Sequence, residues 1–326
     1  MPQIPVTRIE ELSAKALQAH GAAPWIAQEM ARAIGWAEAR ANRICGLYYL
    51  ESYCQQLVTG RVSGRAEPKI TRPRPAVLNV HAGDGFAQPA FARALPQAAE
   101  VARETGVATV AIHHAHTCTA LGYFTEQIAR AGLIGLGLTN ASPIVAPPGG
   151  QSRVIGTNPV SFAAPDGQGG IGMLFDQSTT TVALGHITMA KAAGRAIPEG
   201  WALDADGRPT TDPDVALKGT LTSAGGYKGW GFGLMAELLV SGLCGSLPST
   251  EVKPLKAPEG APHRLGQYFI LIDPRVSDSY ASRLTALAEA VAQDEGTRMP
   301  GRGKTPLTEV EVPDPLWQQL QDLAAR

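Results

Sequence analysis

The feature that most constrains the fold is the alternation of apolar strand-like runs and helical segments between residues 76 and 139. The pattern predicts strands at 76–80, 107–113 and 133–139, with helices at 89–104 and 120–130. Because successive strands separated by helices run in the same direction, this alternation predicts an α/β sheet with at least one parallel pair.

The rest of the chain is less regular. Thr7 and Glu10 form a capping-box pattern, which predicts the start of a helix that ends at His20 and Gly21. The further predicted elements are helices at 24–42, 47–57, 180–193, 228–241 and 278–293, a short final helix from Pro315, strands at 161–164, 171–175 and 267–272, a linker at 60–75 and turns at 197–213. We therefore predict an α/β fold with a mixed sheet, in which a helical region (1–70) packs with segment 275–326, and region 71–274 binds cofactor and substrate.

The charge of the chain argues against two classes of partner. Its 326 residues include 28 basic and 29 acidic side chains, spread without long runs, for a net charge of -1. This balance predicts no nucleic-acid or anionic-membrane surface and favours a small ligand. The chain also lacks an apolar stretch of about 20 residues and an export signal at its start, so we expect a cytoplasmic protein.

Cysteine and histidine residues raise the question of a metal site. The four cysteines are scattered without a CxxC pair, which predicts reduced thiols. His113, His114, His116 and Cys118 are zinc-ligand types that lie close in sequence. However, His113 and His114 are neighbours at the end of a strand and should point to opposite faces. The sequence therefore predicts no metal site.

A loop rich in turn residues runs from 149 to 165, with the sequence GGQSRVIGTNPVSFAAP. Glycine permits close approach of the backbone to a ligand, and Pro159 restricts the preceding Thr157 and Asn158. The segment is typical of a binding loop, and an ordinary connection between strands is the alternative.

Glycine patterns exclude the usual dinucleotide motif. No GxGxxG follows the first strand, and neither Gly135-Leu-Gly137 nor Gly229-Trp-Gly231 has the required context. A bound nucleotide would therefore be held by other loop amides and helix N-termini. Without a Rossmann acidic residue, the sequence does not distinguish NADH from NADPH.

Four segments together carry a family resemblance. They are Gly156-Thr-Asn-Pro159, the stretch 197–213 that begins IPEGWALD, Gly225-Gly-Tyr-Lys-Gly229 and Arg298-Met-Pro-Gly301. Their order and spacing resemble the malate/L-lactate dehydrogenase family of the sulfolactate dehydrogenase type, which includes Δ1-pyrroline-2-carboxylate and Δ1-piperideine-2-carboxylate reductases. The resemblance implies a non-Rossmann fold, usually dimeric, that reduces a C=O or C=N carbon beside a carboxylate with NADPH or NADH.

The resemblance also implies roles for individual positions. Thr157 matches a substrate-contacting threonine. The positions that match cofactor contacts are Thr117, Cys118, Thr119, Ala120, Leu121, Asp176, Gln177, Ser178, Lys228, Arg298 and Gly301. For Lys228 and the 298–301 turn, a solvated surface charge and simple turn formation are the alternatives.

The chain departs from the family at four polar positions. Ile44-Cys45 replaces the family's Ser-His pair, whose histidine donates a proton to the substrate. Tyr49 replaces an arginine that holds the substrate carboxylate. His186 stands where an aspartate usually completes the relay, and Thr117 stands where many members have another histidine.

These departures affect ketone reduction more than imine reduction. A ketone becomes an alkoxide, and a positioned acid accelerates that step by roughly 10²–10⁴. A protonated imine needs no such acid, so the sequence favours a reductase of a small cyclic imino acid such as Δ1-pyrroline-2-carboxylate, with Arg43 or Arg153 holding its carboxylate. Cys45, His116 and His186 are candidate proton donors, although each is also compatible with a packing role.

Two alternatives to imine reduction remain open. One is a 2-oxo-acid or 2-hydroxy-acid dehydrogenase of the malate, lactate or sulfolactate type, which would use His116 or His186 as its acid. The other is a binding protein that has lost catalysis. Retention of the 156–159 loop and the 197–213 segment argues against the second alternative.

Overall fold

The computed structural model describes residues 1–326. Ten α-helices are present: α1 Val6–Ala19, α2 Pro24–Glu38, α3 Leu50–Val58, α4 Ala87–Thr105, α5 Gly122–Arg130, α6 Leu184–Ala192, α7 Pro213–Lys218, α8 Tyr227–Glu237, α9 Tyr280–Val291 and α10 Asp314–Ala324. The strands are β1 Gln3–Pro5, β2 Lys69–Arg74, β3 Val77–His81, β4 Val107–Ala115, β5 Ile134–Thr139, β6 Val160–Pro165, β7 Ile171–Gln177, β8 Ala202–Leu203, β9 Pro209–Thr210, β10 Thr220–Leu221, β11 Leu265–Ile272 and β12 Glu309–Glu311.

Seven strands form the central sheet in the order β2-β3-β4-β11-β5-β6-β7. Only β3 and β4 are parallel, and the other neighbours are antiparallel. The predicted mixed sheet and its parallel pair are therefore confirmed. The predicted linker at 60–75 was wrong in part because it contains β2, whose polar, proline-containing sequence suits an edge strand.

The main core lies between the sheet and helices α4 and α5. Its centre is a group of three fully buried rings, Phe91, Phe124 and Phe269, with centroids 4.9–5.3 Å apart. Removing these aromatic surfaces from water stabilises the sheet. The core therefore fixes the ends of β4 and α5, between which the 117–121 segment runs.

The helices α1, α2 and α3 build a second core with α10. The first helix starts at Val6 after Pro5 without a side-chain cap, so the capping-box prediction was wrong; Glu10 packs beside Gly35 instead. Its predicted end is confirmed, since His20 caps the helix and Gly21 adopts a left-handed φ of +107°. The two helices of segment 275–326 pack against different regions. Helix α10 packs on α1, whereas Tyr280 of α9 donates a hydrogen bond to the Pro165 carbonyl at the end of β6, at 3.0 Å.

A smaller unit contains the three-stranded sheet β10-β8-β9 with α6 and α7. The helix predicted at 180–193 starts only at Leu184, because the residues before it hydrogen-bond to the segment around residue 222. Thr181 N, for example, donates to Thr222 O at 2.9 Å. Gly185 of α6 packs directly against Ile44, which brings this unit against the segment between α2 and α3. None of the helices combines the length and the apolar character that crossing a bilayer requires.

Candidate active site

The segment between α2 and α3 consists of two short 3₁₀ turns, Arg43–Cys45 and Leu47–Tyr49. The buried Glu38 carboxylate at the end of α2 accepts a hydrogen bond from the backbone N–H of Leu47 at 2.8 Å. A Cβ at position 46 would overlap this carboxylate, so Gly46 is required between the two turns. Glu38 thereby fixes the direction in which Cys45 and Tyr49 project.

Cys45 lies near Asp176, and Tyr49 lies near Cys45 and Cys118. Burial, followed by the nearby Asp176 charge, raises the pKa of the Cys45 thiol to about 12. Burial also raises the pKa of Tyr49, and Cys45 adds to that effect. Both groups stay protonated at neutral pH and release a proton reluctantly. The position at which the family resemblance implies a histidine acid is thus occupied by a thiol that is a weak acid.

Asp176 lies near the end of β7. Its Oδ2 accepts a hydrogen bond from Gly122 N at 2.7 Å, in the first turn of α5. Asp176 is exposed on one side, but the burial of its carboxylate by the surrounding protein raises its pKa to about 6. Hydrogen bonds from the backbone N–H groups of Gly122 and Leu121 act in the opposite direction and lower this pKa. Asp176 is therefore a group beside Cys45 that titrates close to neutrality.

The predicted cofactor segment 117–121 is almost entirely buried, and only Thr119 is partly exposed. Thr119 has a left-handed φ of +53°, and the Gln88 side chain donates to the Cys118 carbonyl at 3.0 Å. The hydroxyl of Tyr53 is buried near Thr119 but lacks a hydrogen bond of normal geometry. The segment is therefore held in one conformation, with one buried polar group left without a partner.

Two of the predicted cofactor residues, Asp176 and Gly301, line one groove of about 370 Å³ together with Arg40 and Lys304. Gly301 has a left-handed φ of +72°, and a Cβ there would lie 2.6 Å from the Leu174 carbonyl oxygen. The groove consequently joins the 298–301 turn to the end of β7. Gln177 is exposed, and Ser178 accepts a hydrogen bond from the Thr180 hydroxyl at 2.9 Å.

The loop that carries Thr157 is fixed by hydrogen bonds to the Glu237 carboxylate. The Asn158 amide donates to Glu237 Oε2 at 2.7 Å, and the Ser249 hydroxyl donates to the same oxygen at 2.6 Å. Asn158 adopts a positive φ of +32° and is buried, whereas Thr157 is half-buried. The network fixes the backbone of the loop and leaves Thr157 nearer the surface.

A cavity of about 570 Å³ is lined by Ile44, Tyr49, Arg153 and Lys256, among others. The Arg153 guanidinium is already hydrogen-bonded to the Gly219 carbonyl, at 2.6 and 2.9 Å. Arg43 is exposed and does not line this cavity. Of the two predicted anchors, the structure therefore places one in the cavity, engaged with the backbone, and the other outside it.

Lys256 was missed by sequence reasoning because it lies in an irregular segment with no motif. Its Nζ sits 3.3 Å from the centroid of the Tyr48 ring and donates to the Tyr48 carbonyl at 3.1 Å. Partial burial lowers the pKa of Lys256. A cation on the Tyr48–Tyr49 pair thus supplies positive charge near Tyr49, where the family resemblance implies an arginine.

His116 is fully buried and packs edge-on against Tyr53 and Phe86. Its Nε2 is 2.9 Å from the Gln56 side-chain oxygen, and the Gln56 amide donates to the carbonyls of Leu255 and Ala257 at 2.8 and 2.7 Å. The ring stacks on His263 at 3.9 Å, and burial holds the pKa of His116 well below its usual value. The neutral ring consequently supports the segment that carries Lys256.

The remaining predicted residues do not line the cavity at Lys256. His186 is exposed on α6, makes an edge contact with Trp201 at 6.4 Å and lines a separate cavity of about 250 Å³. Arg298 is exposed. Lys228 is also exposed, in the first turn of α8, which follows the left-handed Gly225 and Gly226 and has no side-chain cap. His186 therefore lines a different cavity from the one that Ile44 lines.

Comparison with known proteins defines the class as NAD(P)-dependent oxidoreductases. The sequence profile described as malate/L-lactate dehydrogenase matches residues 4–321, and the chain belongs to that family.

The relatives within the family differ in substrate. The chain is 37% identical to a (2R)-3-sulfolactate dehydrogenase (NADP(+)) of Chromohalobacter salexigens, over 98% of each chain. It is 36% identical to a Δ1-pyrroline-2-carboxylate reductase of Ancylobacter novellus, over 99% of this chain and 98% of the other. The crystal structure of Δ1-piperideine-2-carboxylate reductase from Pseudomonas syringae superposes with a TM-score of 0.88 at 30% identity, covering 99% of this chain and 100% of that one. The fold prediction is confirmed by this likeness.

Proposed function

We propose that this enzyme reduces the C=N bond of a small cyclic imino acid such as Δ1-pyrroline-2-carboxylate, with NADPH or NADH as the hydride donor. The observation that carries the proposal is that Cys45, which stands where the family resemblance implies a histidine acid, is a poorly acidic thiol with a pKa raised to about 12. Of the candidate histidines, His116 is buried against His263, and His186 is exposed beside a separate cavity.

The chemistry of the two substrate types explains the preference. Hydride addition to a ketone creates an alkoxide that must be protonated, whereas a cyclic imine reaches the site already protonated and becomes a neutral amine. The anionic Asp176 beside Cys45 would stabilise the positive iminium and oppose the negative alkoxide. Both the weak acid and the nearby anion therefore favour the imine.

The chain offers two features that suit a dinucleotide. Lys228 is exposed in the first turn of α8, after two glycines with positive φ, and its charge would attract a phosphate. The groove at Asp176 and Gly301 is lined by Lys304 and by Arg40, which is paired with Glu126. In our proposal the cofactor contacts are Thr117–Leu121, Asp176–Ser178, Lys228, Arg298 and Gly301.

For the substrate, we propose Lys256 as the principal carboxylate anchor. Its ammonium group lines the cavity beside Tyr49, with the Tyr48 carbonyl as its hydrogen-bonded acceptor. Arg153 lines the same cavity, but its guanidinium already donates to the Gly219 carbonyl. Arg153 would therefore attract the substrate carboxylate by its positive charge rather than by direct hydrogen bonds. Thr157 is proposed to contact the substrate, and the enzyme is proposed to act as a cytoplasmic homodimer, as the family resemblance implies.

The second candidate is a 2-oxo-acid or 2-hydroxy-acid dehydrogenase. It is favoured by the 37% identity to a sulfolactate dehydrogenase and by Asp176, whose pKa of about 6 would suit a proton donor. The two candidates place opposite requirements on Asp176, which must be ionised to stabilise an iminium and protonated to serve as an acid.

The deciding experiment compares oxidation of NADH and NADPH with Δ1-pyrroline-2-carboxylate, Δ1-piperideine-2-carboxylate, pyruvate, oxaloacetate and 3-sulfopyruvate. We expect kcat/KM for a cyclic imine to exceed that for every oxo acid by at least roughly 100-fold, the effect of one positioned acid. A preference for an oxo acid would establish the second candidate. Cofactor binding without turnover of any substrate would instead support a binding protein.

A further inference from the structure

Three histidine side chains meet at the ends of the parallel strands β3 and β4. His81 ends β3, while His113 and His114 lie near the end of β4. One ring nitrogen from each residue lies within 4.8 Å of the other two, and all three side chains are partly exposed. This cluster is separate from Cys45 and from the cavity at Lys256.

The convergence of His113 and His114 contradicts the expectation from strand alternation. Their Nδ1 atoms are only 2.7 Å apart. The reason is a β-bulge, in which the step from Ile112 to Ala115 on β4 is opposed by a shorter step on β11, and His114 takes a left-handed φ of +52°. A bulge turns neighbouring side chains to one side of a strand, so simple alternation fails here.

A hydrogen bond already orients His113 for metal binding, whereas His81 must release its bond from Gly83 N before it can bind an ion. His113 Nε2 lies 2.9 Å from the Asn79 side-chain oxygen, which only accepts, so this nitrogen carries the proton and Nδ1 keeps its lone pair. His81 Nδ1 accepts from Gly83 N at 3.0 Å. A metal-binding histidine commonly donates its other N–H to such an oxygen, which fixes the tautomer.

We propose that His81, His113 and His114 form a binding site for one borderline divalent transition-metal ion, of the class that includes Zn²⁺. Three neutral imidazoles with one open position suit this class rather than Mg²⁺ or Ca²⁺, which require oxygen ligands. The ion takes the place of the proton that lies between the two Nδ1 atoms, and that proton moves to Nε2 of His114, so the imidazole stays neutral. The two atoms need to separate by only about 0.6 Å to span the edge of a tetrahedral site with 2.0–2.1 Å bonds.

The position of the site gives the ion a structural role. Ala82 N donates to His113 O and Asp84 N donates to His114 O, both at 2.9 Å, so the loop after β3 is already joined to the bulge. The cofactor segment 117–121 begins three residues after His114. A bound ion would therefore tie β3 to β4 directly before that segment.

The test uses the full chain, stripped with a chelator and titrated with Zn²⁺ by calorimetry and with Co²⁺ by absorption. We expect one ion per chain and tetrahedral Co²⁺ bands without a thiolate charge-transfer band. Asn79→Ala should weaken binding by roughly 10- to 100-fold, the usual effect of losing an outer-shell partner, and His81→Gln or His114→Asn by at least as much. Asparagine is chosen at position 114 because it tolerates the left-handed backbone.

His186→Gln is the matched control, since it removes one exposed histidine outside the cluster and should leave metal affinity unchanged. Circular dichroism of each stripped variant establishes that it is folded before titration. The proposal is overturned if the stripped wild type binds no stoichiometric ion, if Asn79→Ala and His81→Gln bind as the wild type does, or if the Co²⁺ spectrum shows a thiolate ligand.

Discussion

Asp176 Oδ2 accepts a hydrogen bond from the backbone N–H of Gly122 at 2.7 Å. This contact joins the end of β7 to the first turn of α5 and to the segment that precedes it. The carboxylate also lies close enough to Cys45 to raise the pKa of its thiol. One side chain therefore connects the proposed cofactor segment to the proposed reaction centre, and its charge is the variable that distinguishes the two candidate functions.

The first prediction concerns pH. If the ionised Asp176 stabilises an iminium, kcat/KM corrected for the protonated fraction of the imine should fall as pH decreases through about 6, where Asp176 takes up a proton. If Asp176 is instead the acid for a ketone, the rate should rise over the same interval. Steady-state rates between pH 5 and 8 decide the sign; these limits lie roughly one and two pH units either side of that pKa.

Asp176→Asn is the matched variant for this profile, because the amide oxygen can still accept from Gly122 N. We expect the inflection to disappear and imine reduction to slow by roughly 10-fold, equivalent to about 1.4 kcal/mol of lost charge stabilisation. An inflection that survives in the variant would assign the titration to another group.

A second prediction concerns stability at the same position. The folded-state pKa of Asp176 is about 6, above the ordinary value of 3.8. Between pH 3.8 and about 6 the folded protein holds a proton that the unfolded protein has lost, so the free energy of unfolding decreases as pH rises through this interval. Asp176→Asn should therefore raise the free energy of unfolding at pH 7 by about 1 kcal/mol, less than the shift alone implies because solvent screens the carboxylate. At pH 3, below both pKa values, the variant and the wild type should differ little in urea unfolding.

The third prediction separates the candidate anchors. Lys256→Met keeps much of the side-chain volume but removes the charge, and should raise KM for the imino acid by roughly 10- to 100-fold, the usual range for a hydrogen bond to a charged group, with a smaller change in kcat. Arg153→Ala should raise KM less if its donors remain engaged with the Gly219 carbonyl in the complex. Arg43→Ala serves as the control outside the cavity. A large KM effect at Arg153 with none at Lys256 would reverse the assignment.

The sheet was predictable because its strands are short apolar runs separated by helices, a pattern that burial alone imposes. The position of Lys256 was not predictable. It depends on contacts across about 200 residues of sequence, in which Gln56 donates to Leu255 and Ala257 and the Arg61 side chain donates to Ala261. Local patterns carry no signal for such side-chain to backbone contacts in an irregular segment.

The histidines show a second limit of sequence reasoning. His116, His186 and Cys45 were equivalent candidates because each residue type can move a proton. Only packing distinguishes them: His116 is stacked on His263 inside the protein, His186 is exposed beside a separate cavity, and Cys45 lies near Asp176. Similarly, the bulge that joins His113 to His114 depends on pairing with β11, more than 150 residues away, which strand alternation does not encode.

The fourth prediction introduces the Ser-His pair that the family resemblance implies at positions 44 and 45. The double variant Ile44→Ser with Cys45→His should increase oxo-acid reduction relative to imine reduction, by up to the roughly 10²–10⁴ expected of a positioned acid. Cys45→Ala alone should leave imine reduction nearly unchanged, because the thiol stays protonated. Substantial loss of imine turnover in Cys45→Ala, with normal folding and cofactor binding, would show that the thiol participates.

The fifth prediction concerns the turn that presents these residues. Gly46→Ala places a Cβ against the Glu38 carboxylate, which is buried and holds Leu47 N, so either the hydrogen bond or the turn must shift. We expect a loss of about 1–3 kcal/mol in the free energy of unfolding, the usual effect of overpacking, with a loss of kcat because Cys45 and Tyr49 move. Gly242→Ala is the control, since its Cβ would meet no atom within 4 Å. If both variants were equally stable and active, Glu38 would not determine the direction of the turn.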